Sequence, residues 1–140
     1  MYQGSLGKEV KRVSETPLSQ SQSERTATGL EQNTAALLSY LFTWVTGLIF
    51  YIIEKDNKYV RFHAMQSIFF GLAMVIAGVL LVILTTILRY VPFIGGMTSM
   101  LLSFVYWIGT VVIWILLMVK AFQGERYKLP VIGDIAERNV

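Results

Sequence analysis

Tyr59-Val60-Arg61-Phe62-His63-Ala64-Met65-Gln66 opens a stretch that runs uncharged from Ala64 to Leu88 and closes at Arg89. It holds the chain's only histidine. It also decides the fold class, because about 20 apolar residues in a helix cross the hydrocarbon core of a bilayer. Two further charge-free stretches flank it, Ala35 to Ile53 and Tyr90 to Val119. A soluble core built from 140 residues has no need of three such runs.

Composition points the same way. Hydrophobic residues make up 54% of the chain and charged residues 15%, outside the usual balance of soluble domains. The predicted fold is an all-α integral membrane protein with three transmembrane helices in a small helical bundle. The helices are expected over about 29–53, 58–88 and 98–122, within a membrane domain at 28–124. The absence of cysteine excludes disulfides and thiolate chemistry. The net charge of +3 is too small and scattered to argue for nucleic acid, and cytoplasmic flanks account for it.

Residues 1–27 are rich in Ser, Gln, Thr and Glu and read as a disordered polar tail without the apolar core of a secretory signal. Thr28-Gly29-Leu30-Glu31 has the pattern of a capping box that starts the first helix. Along that helix Ser39, Thr43, Thr46 and Gly47 form a small, hydroxyl-bearing stripe, read as a packing face, and Trp44 is expected to pack on a neighbour. Glu54-Lys55-Asp56-Asn57-Lys58 is a polar connector in which Asp56 or Asn57 caps the second helix. Ala64, Ser67, Gly71 and Gly78 make a small-residue seam where another helix can approach. Pro92 with Gly95-Gly96 marks the second turn, Thr98 or Ser99 caps the third helix, and Gly124 stops it. Residues 125–140 form a cytoplasmic tail, with a short interfacial helix started by Pro130.

Basic residues set the expected orientation. Lys55, Lys58 and Arg61 flank the first connector and Lys120, Arg126, Lys128 and Arg138 the C-terminal side, against Arg89 alone in the second connector. Three spans then place the N-terminus outside and the C-terminus in the cytoplasm of a cell-membrane protein. Lys8, Lys11 and Arg12 run against that arrangement.

The candidate polar cluster is Glu54, Arg61, His63 and Gln66 at the cytoplasmic mouth. His63 and Gln66, three apart, share a helix face. A histidine there can relay protons; as an interfacial residue it bonds a neighbouring carbonyl while Arg61 snorkels to phosphates. No catalytic, cofactor-binding or metal-binding constellation stands out, so neither enzymatic activity nor a cofactor is expected. Three helices are too few to enclose a pathway, so a channel would need an oligomer.

Two stretches carry a family resemblance. Val60-Arg61-Phe62-His63-Ala64-Met65-Gln66-Ser67 and Lys120-Ala121-Phe122-Gln123-Gly124-Glu125-Arg126-Tyr127-Lys128-Leu129-Pro130 resemble the signatures of an uncharacterised family of small prokaryotic multi-pass membrane proteins. That family is similar to the Tic20-like component of the chloroplast import machinery, whose chains also end in a Pro-x-Ile-x-Asp-like segment, here Pro130 to Asp134. The resemblance covers about residues 30–138 and implies a structural or interaction component of a membrane complex. Its partners would be the lipid bilayer and another membrane protein or further copies of itself. The alternative is an oligomeric channel or transporter subunit related to protein translocation.

Overall fold

Asn57 fixes the start of the central helix: its side-chain oxygen accepts the backbone N–H groups of Tyr59 and Val60, each at 3.1 Å. In the computed structural model, which describes residues 26–140, the order is α1 (Gln32–Leu38), α2 (Trp44–Ile53), α3 (Lys58–Leu88), α4 (Gly95–Phe122) and α5 (Ile132–Arg138). The described residues are helical and contain no strand. Of the expected N-terminal tail, residues 1–25 lie outside the described residues.

Helices α3 and α4 are long and apolar enough to cross a membrane. The span expected over 58–88 coincides with α3. Helix α4 starts earlier than expected, at Gly95, and has no side-chain cap. Ser99 does not cap it but lies inside it, donating to the carbonyls of Gly95 (2.7 Å) and Thr85 (3.2 Å). A Cβ on Gly95 would run into the Leu88 carbonyl. The glycine therefore permits a close turn between two helices and does not end one.

The first expected span is not one helix. It breaks at residues 39–43 into α1 and α2, with Thr43 at φ +50°. Non-helical backbone at membrane depth persists only where protein groups satisfy it. Here they do. The Thr46 hydroxyl donates to the Ser39 carbonyl (3.0 Å) and accepts the Phe42 N–H (3.1 Å). Trp114 Nε1 donates to the Tyr40 carbonyl (2.8 Å), and the Ser67 hydroxyl to that of Thr43 (3.2 Å).

Both ends of the broken segment sit together. The Glu54 carboxylate accepts the N–H groups of Ala27 (2.9 Å) and Thr28 (3.2 Å), and the Asn57 amide donates to Gln32 Oε1 (3.4 Å). The expected capping box does not form: Glu31 makes no side-chain cap bond and Thr28 turns to Glu54. α1 and α2 thus form a re-entrant hairpin. Its tip, Trp44, packs on Gly71, where a Cβ would lie 3.0 Å from Trp44 Cβ. That point is roughly 20 Å along α3 at 1.5 Å per residue.

Two expectations are corrected by this hairpin. Where three full spans were expected, two of the described helices are long and apolar enough to cross, and the first expected span is a pair of short helices. Residues 26–28 lie at the same end as the 54–57 connector and the C-terminal segment, so the chain does not enter from the opposite side as expected.

The core gathers at that end. Ala36, Tyr40, Phe70, Leu117 and Ala121 form it, with Trp114 and Leu129 packed against it. Gly124, at φ +79°, ends the turn after α4 as expected. The short helix expected after Pro130 is α5, and its Gly133 is pressed against Lys128. Beyond Gly71 the two long helices stand by themselves, burying only Gly95 and Ser99.

Candidate functional site

The four residues expected in one polar cluster point three ways. Glu54, only 1% exposed, faces the 26–28 turn, where the Thr28 hydroxyl also reaches it (3.3 Å). Arg61 lies outward, its guanidinium 4.5 Å from the centre of the Tyr51 ring and its Nη1 donating to the Lys55 carbonyl (3.5 Å). His63 and Gln66 face inward and are fully buried. Glu54 and Arg61 hold the hairpin base; His63 and Gln66 belong to the interior.

Around His63 the interior is aromatic and polar at once. The Tyr40 hydroxyl and His63 Nδ1 share a 3.2 Å hydrogen bond, and the Tyr59 and Phe62 rings stand edge-on to the imidazole. The Tyr59 hydroxyl donates to the Ala121 carbonyl (2.7 Å), and Gln66 Nε2 to the Tyr127 carbonyl (3.1 Å). The C-terminal segment therefore closes over the pair. The interfacial histidine expected from sequence is instead a core residue. Tyr40 was not singled out as its partner, because it comes from the break between α1 and α2, 23 residues away in sequence; Tyr59, one helical turn before His63 on α3, was within reach of the sequence.

Three buried atoms here lack a hydrogen-bond partner: His63 Nε2, Gln66 Oε1 and Asn33 Oδ1. Buried groups of this kind are bridged by ordered water. Among the described residues no group of three or more His, Cys, Asp or Glu is placed to hold a metal ion. Outside this region, the Lys128 ammonium donates to Glu137 (2.6 Å) and holds that carboxyl below its ordinary range.

The small residues expected as a seam on α3 face two partners. A Cβ on Gly47 of α2 would collide with the Ser67 hydroxyl and approach the Ala64 carbonyl to 2.8 Å. Gly71 receives Trp44, as described above. Gly78 faces α4, where the Tyr106 hydroxyl lies 3.2 Å from its Cβ position. Above the hairpin tip a crevice of about 570 Å³ opens between the long helices, walled by Trp44, Gly78, Val82, Tyr106 and Trp107. Three of its hydroxyls are spent internally: Tyr106 donates to the Met74 carbonyl (2.7 Å), Ser103 to that of Ser99 (2.8 Å) and Thr85 to that of Leu81 (2.8 Å). The lining presented is apolar.

Comparison with known proteins follows the same stretch of chain. The sequence model of a family described as magnetosome magnetite crystal formation proteins matches residues 27–136. A UPF0132 membrane protein of Methanocaldococcus jannaschii is 45% identical over 114 residues, covering 81% of this chain and 93% of that protein. A second from the same organism is 42% identical over 112 residues, 80% of this chain and 72% of its own. One from Archaeoglobus fulgidus is 36% identical over 111 residues, 79% and 97%. No solved structure matches.

Proposed function

Since the chain belongs to the magnetosome magnetite crystal formation protein family, alongside archaeal UPF0132 membrane proteins, we propose that it is a structural or interaction component of a membrane complex. It is a membrane protein, and in this reading it is not an enzyme. The observation that carries the reading is the open crevice with Gly78 in its wall. Helices associate in lipid through close van der Waals packing at small residues, and two helices by themselves leave that groove unfilled. A helix of another subunit, or of a second copy, fits there. The magnetite chemistry in the family's description is not carried over, because the reading rests on packing alone.

In the same proposal the hairpin end faces the cytoplasm of the cell membrane, and residues 89–94 face the other side. Lys55, Lys58, Arg61, Lys120, Arg126, Lys128 and Arg138 lie at or near the hairpin end, against Arg89 at the other.

The broken helix favours a second reading. Discontinuous helices ending near mid-bilayer mark ion and substrate sites in transporters, and an oligomeric channel, with the Tic20-like resemblance to translocation, stands as the alternative. Extraction in mild detergent followed by mass measurement separates the readings. A stoichiometric partner or a compact homo-oligomer supports the first; a ring enclosing water supports the second; a lone monomer overturns both.

A further inference from the structure

We infer that this protein is a bilayer wedge: it occupies far more area in one leaflet than in the other and therefore gathers on, and promotes, curved membrane. The unequal cross-section is visible in the element positions. At the level of His63 and Leu117, four helical segments lie side by side: α1, α2, α3 and α4. All but two of the buried described residues lie at this end; the exceptions are Gly95 and Ser99. Past Gly71 only α3 and α4 continue.

The hairpin makes the difference because it enters without leaving on the far side. Its ends are tied by Glu54 to Ala27 and Thr28, and its tip rests on Gly71. Two helices of roughly 10–12 Å diameter add a cross-section on the order of 200 Å² to one leaflet. Helix α5 adds to the same side. It is held at the bundle's end by the Lys128–Glu137 pair and by Tyr51, whose hydroxyl donates to the Asn139 carbonyl (3.1 Å). Its Val131 and Ile135 flank are exposed apolar residues beside exposed Asp134 and Glu137, the amphipathic pattern that lies in a headgroup plane.

A flat bilayer offers both leaflets equal area, so such a shape strains it. Bending the membrane with the wide end on the convex face relieves the strain. Which face of the cell membrane becomes convex depends on the orientation proposed above. The wedge itself does not.

The test uses the full chain, labelled through Phe93→Cys in the turn opposite the hairpin. It is reconstituted in phosphatidylcholine vesicles containing phosphatidylglycerol, over a wide range of diameters. Protein density per membrane area is read vesicle by vesicle, and an impermeant quencher sorts the two orientations. Molecules with the wide end outward should be several-fold denser in the smallest vesicles than in the largest, and those with it inward should show the reverse trend. Equal density at all diameters in both orientations overturns the proposal. A second form carries Ser39→Ala and Thr46→Val, with spin labels replacing Ala27 and Lys55. Where the labels move apart the hairpin has opened, and the size preference should vanish; where they stay close it should remain. A preference that survives opening, or is lost without it, overturns the wedge.

Discussion

Glu54 accepts the backbone N–H of Ala27 at 2.9 Å, across a segment of helical chain that dips into the bundle and returns. That contact, with the Thr28 N–H and hydroxyl beside it, is what makes the segment a hairpin. Glu54→Ala should therefore destabilise the protein by roughly 1.5–3 kcal/mol, since it removes the charged acceptor that these part-buried bonds share. Glu54→Gln, keeping one acceptor oxygen, should cost less. Unfolding in detergent followed by circular dichroism measures both, and equal losses would show that charge plays no part.

How far this was legible in the sequence differs along the chain. α3 was readable end to end, because Asn57 is a strong cap and the run from Ala64 to Leu88 has no competing signal. The first segment was not. Nothing in Ser39-Tyr40-Leu41-Phe42-Thr43 breaks a helix as Pro or Gly does. The break depends on Trp114 and Ser67, whose bonds to Tyr40 and Thr43 are invisible without the fold. The hydroxyls of Ser39, Thr43 and Thr46 were noticed as a stripe; only Thr46 turns out to close on freed backbone across the break. Gly95 was misread for the related reason that a glycine needed for close approach looks, in sequence, like one that ends a helix.

Glycine substitutions rank the contacts. Among the glycines of the hairpin and α3, Gly47→Ala should be the most damaging, as the new Cβ meets the Ser67 hydroxyl and the Ala64 carbonyl. Gly71→Ala should follow, against the side chain and backbone of Trp44, and Gly78→Ala should be milder, against the movable end of Tyr106. Gly109→Ala, with nothing within 4 Å, should stabilise by up to about 1 kcal/mol through helix propensity. Val79→Leu, on an exposed face, should leave stability unchanged. Melting temperatures in one detergent give the order, and a uniform drop across the glycines would mean the seam is misplaced.

Single cysteines test the path of the chain. A membrane-impermeant thiol reagent applied to intact cells should label Phe93→Cys, in the fully exposed turn. It should miss Leu30→Cys, Lys55→Cys and Asn139→Cys alike. Labelling at position 30 without labelling at 139 would mean that the first segment crosses the bilayer after all. Labelling at 30, 55 and 139 without 93 would keep the hairpin and invert the proposed orientation.

Acid should loosen the C-terminal helix. Glu137 is exposed, and its hydrogen bond from Lys128 holds its carboxyl below the ordinary value. A depressed folded value stabilises docking above the ordinary carboxylate range, and the contribution is lost as pH falls through the folded value. Hydrogen-exchange protection at residues 132–138, taken relative to the intrinsic rate at each pH, should fall on acidification in the unaltered chain and lose that step in Glu137→Gln. A step that persists in the variant assigns it to another group.

Tyr40 and His63 offer the last measurement, because each is buried and each is the other's hydrogen-bond partner at 3.2 Å. Removing either alone leaves a polar atom without a partner in a water-poor interior, at a cost of roughly 1–3 kcal/mol. His63→Leu strands the tyrosine hydroxyl; Tyr40→Phe strands Nδ1. The double variant strands neither, so its loss should fall well short of the sum of the two, with a coupling of about 1 kcal/mol or more. His63→Gln, which can still bond the hydroxyl, should be milder than His63→Leu. Additive losses would show that the pair is merely adjacent, and that the interior around His63 is held by the Tyr59 and Gln66 bonds to the carbonyls of Ala121 and Tyr127.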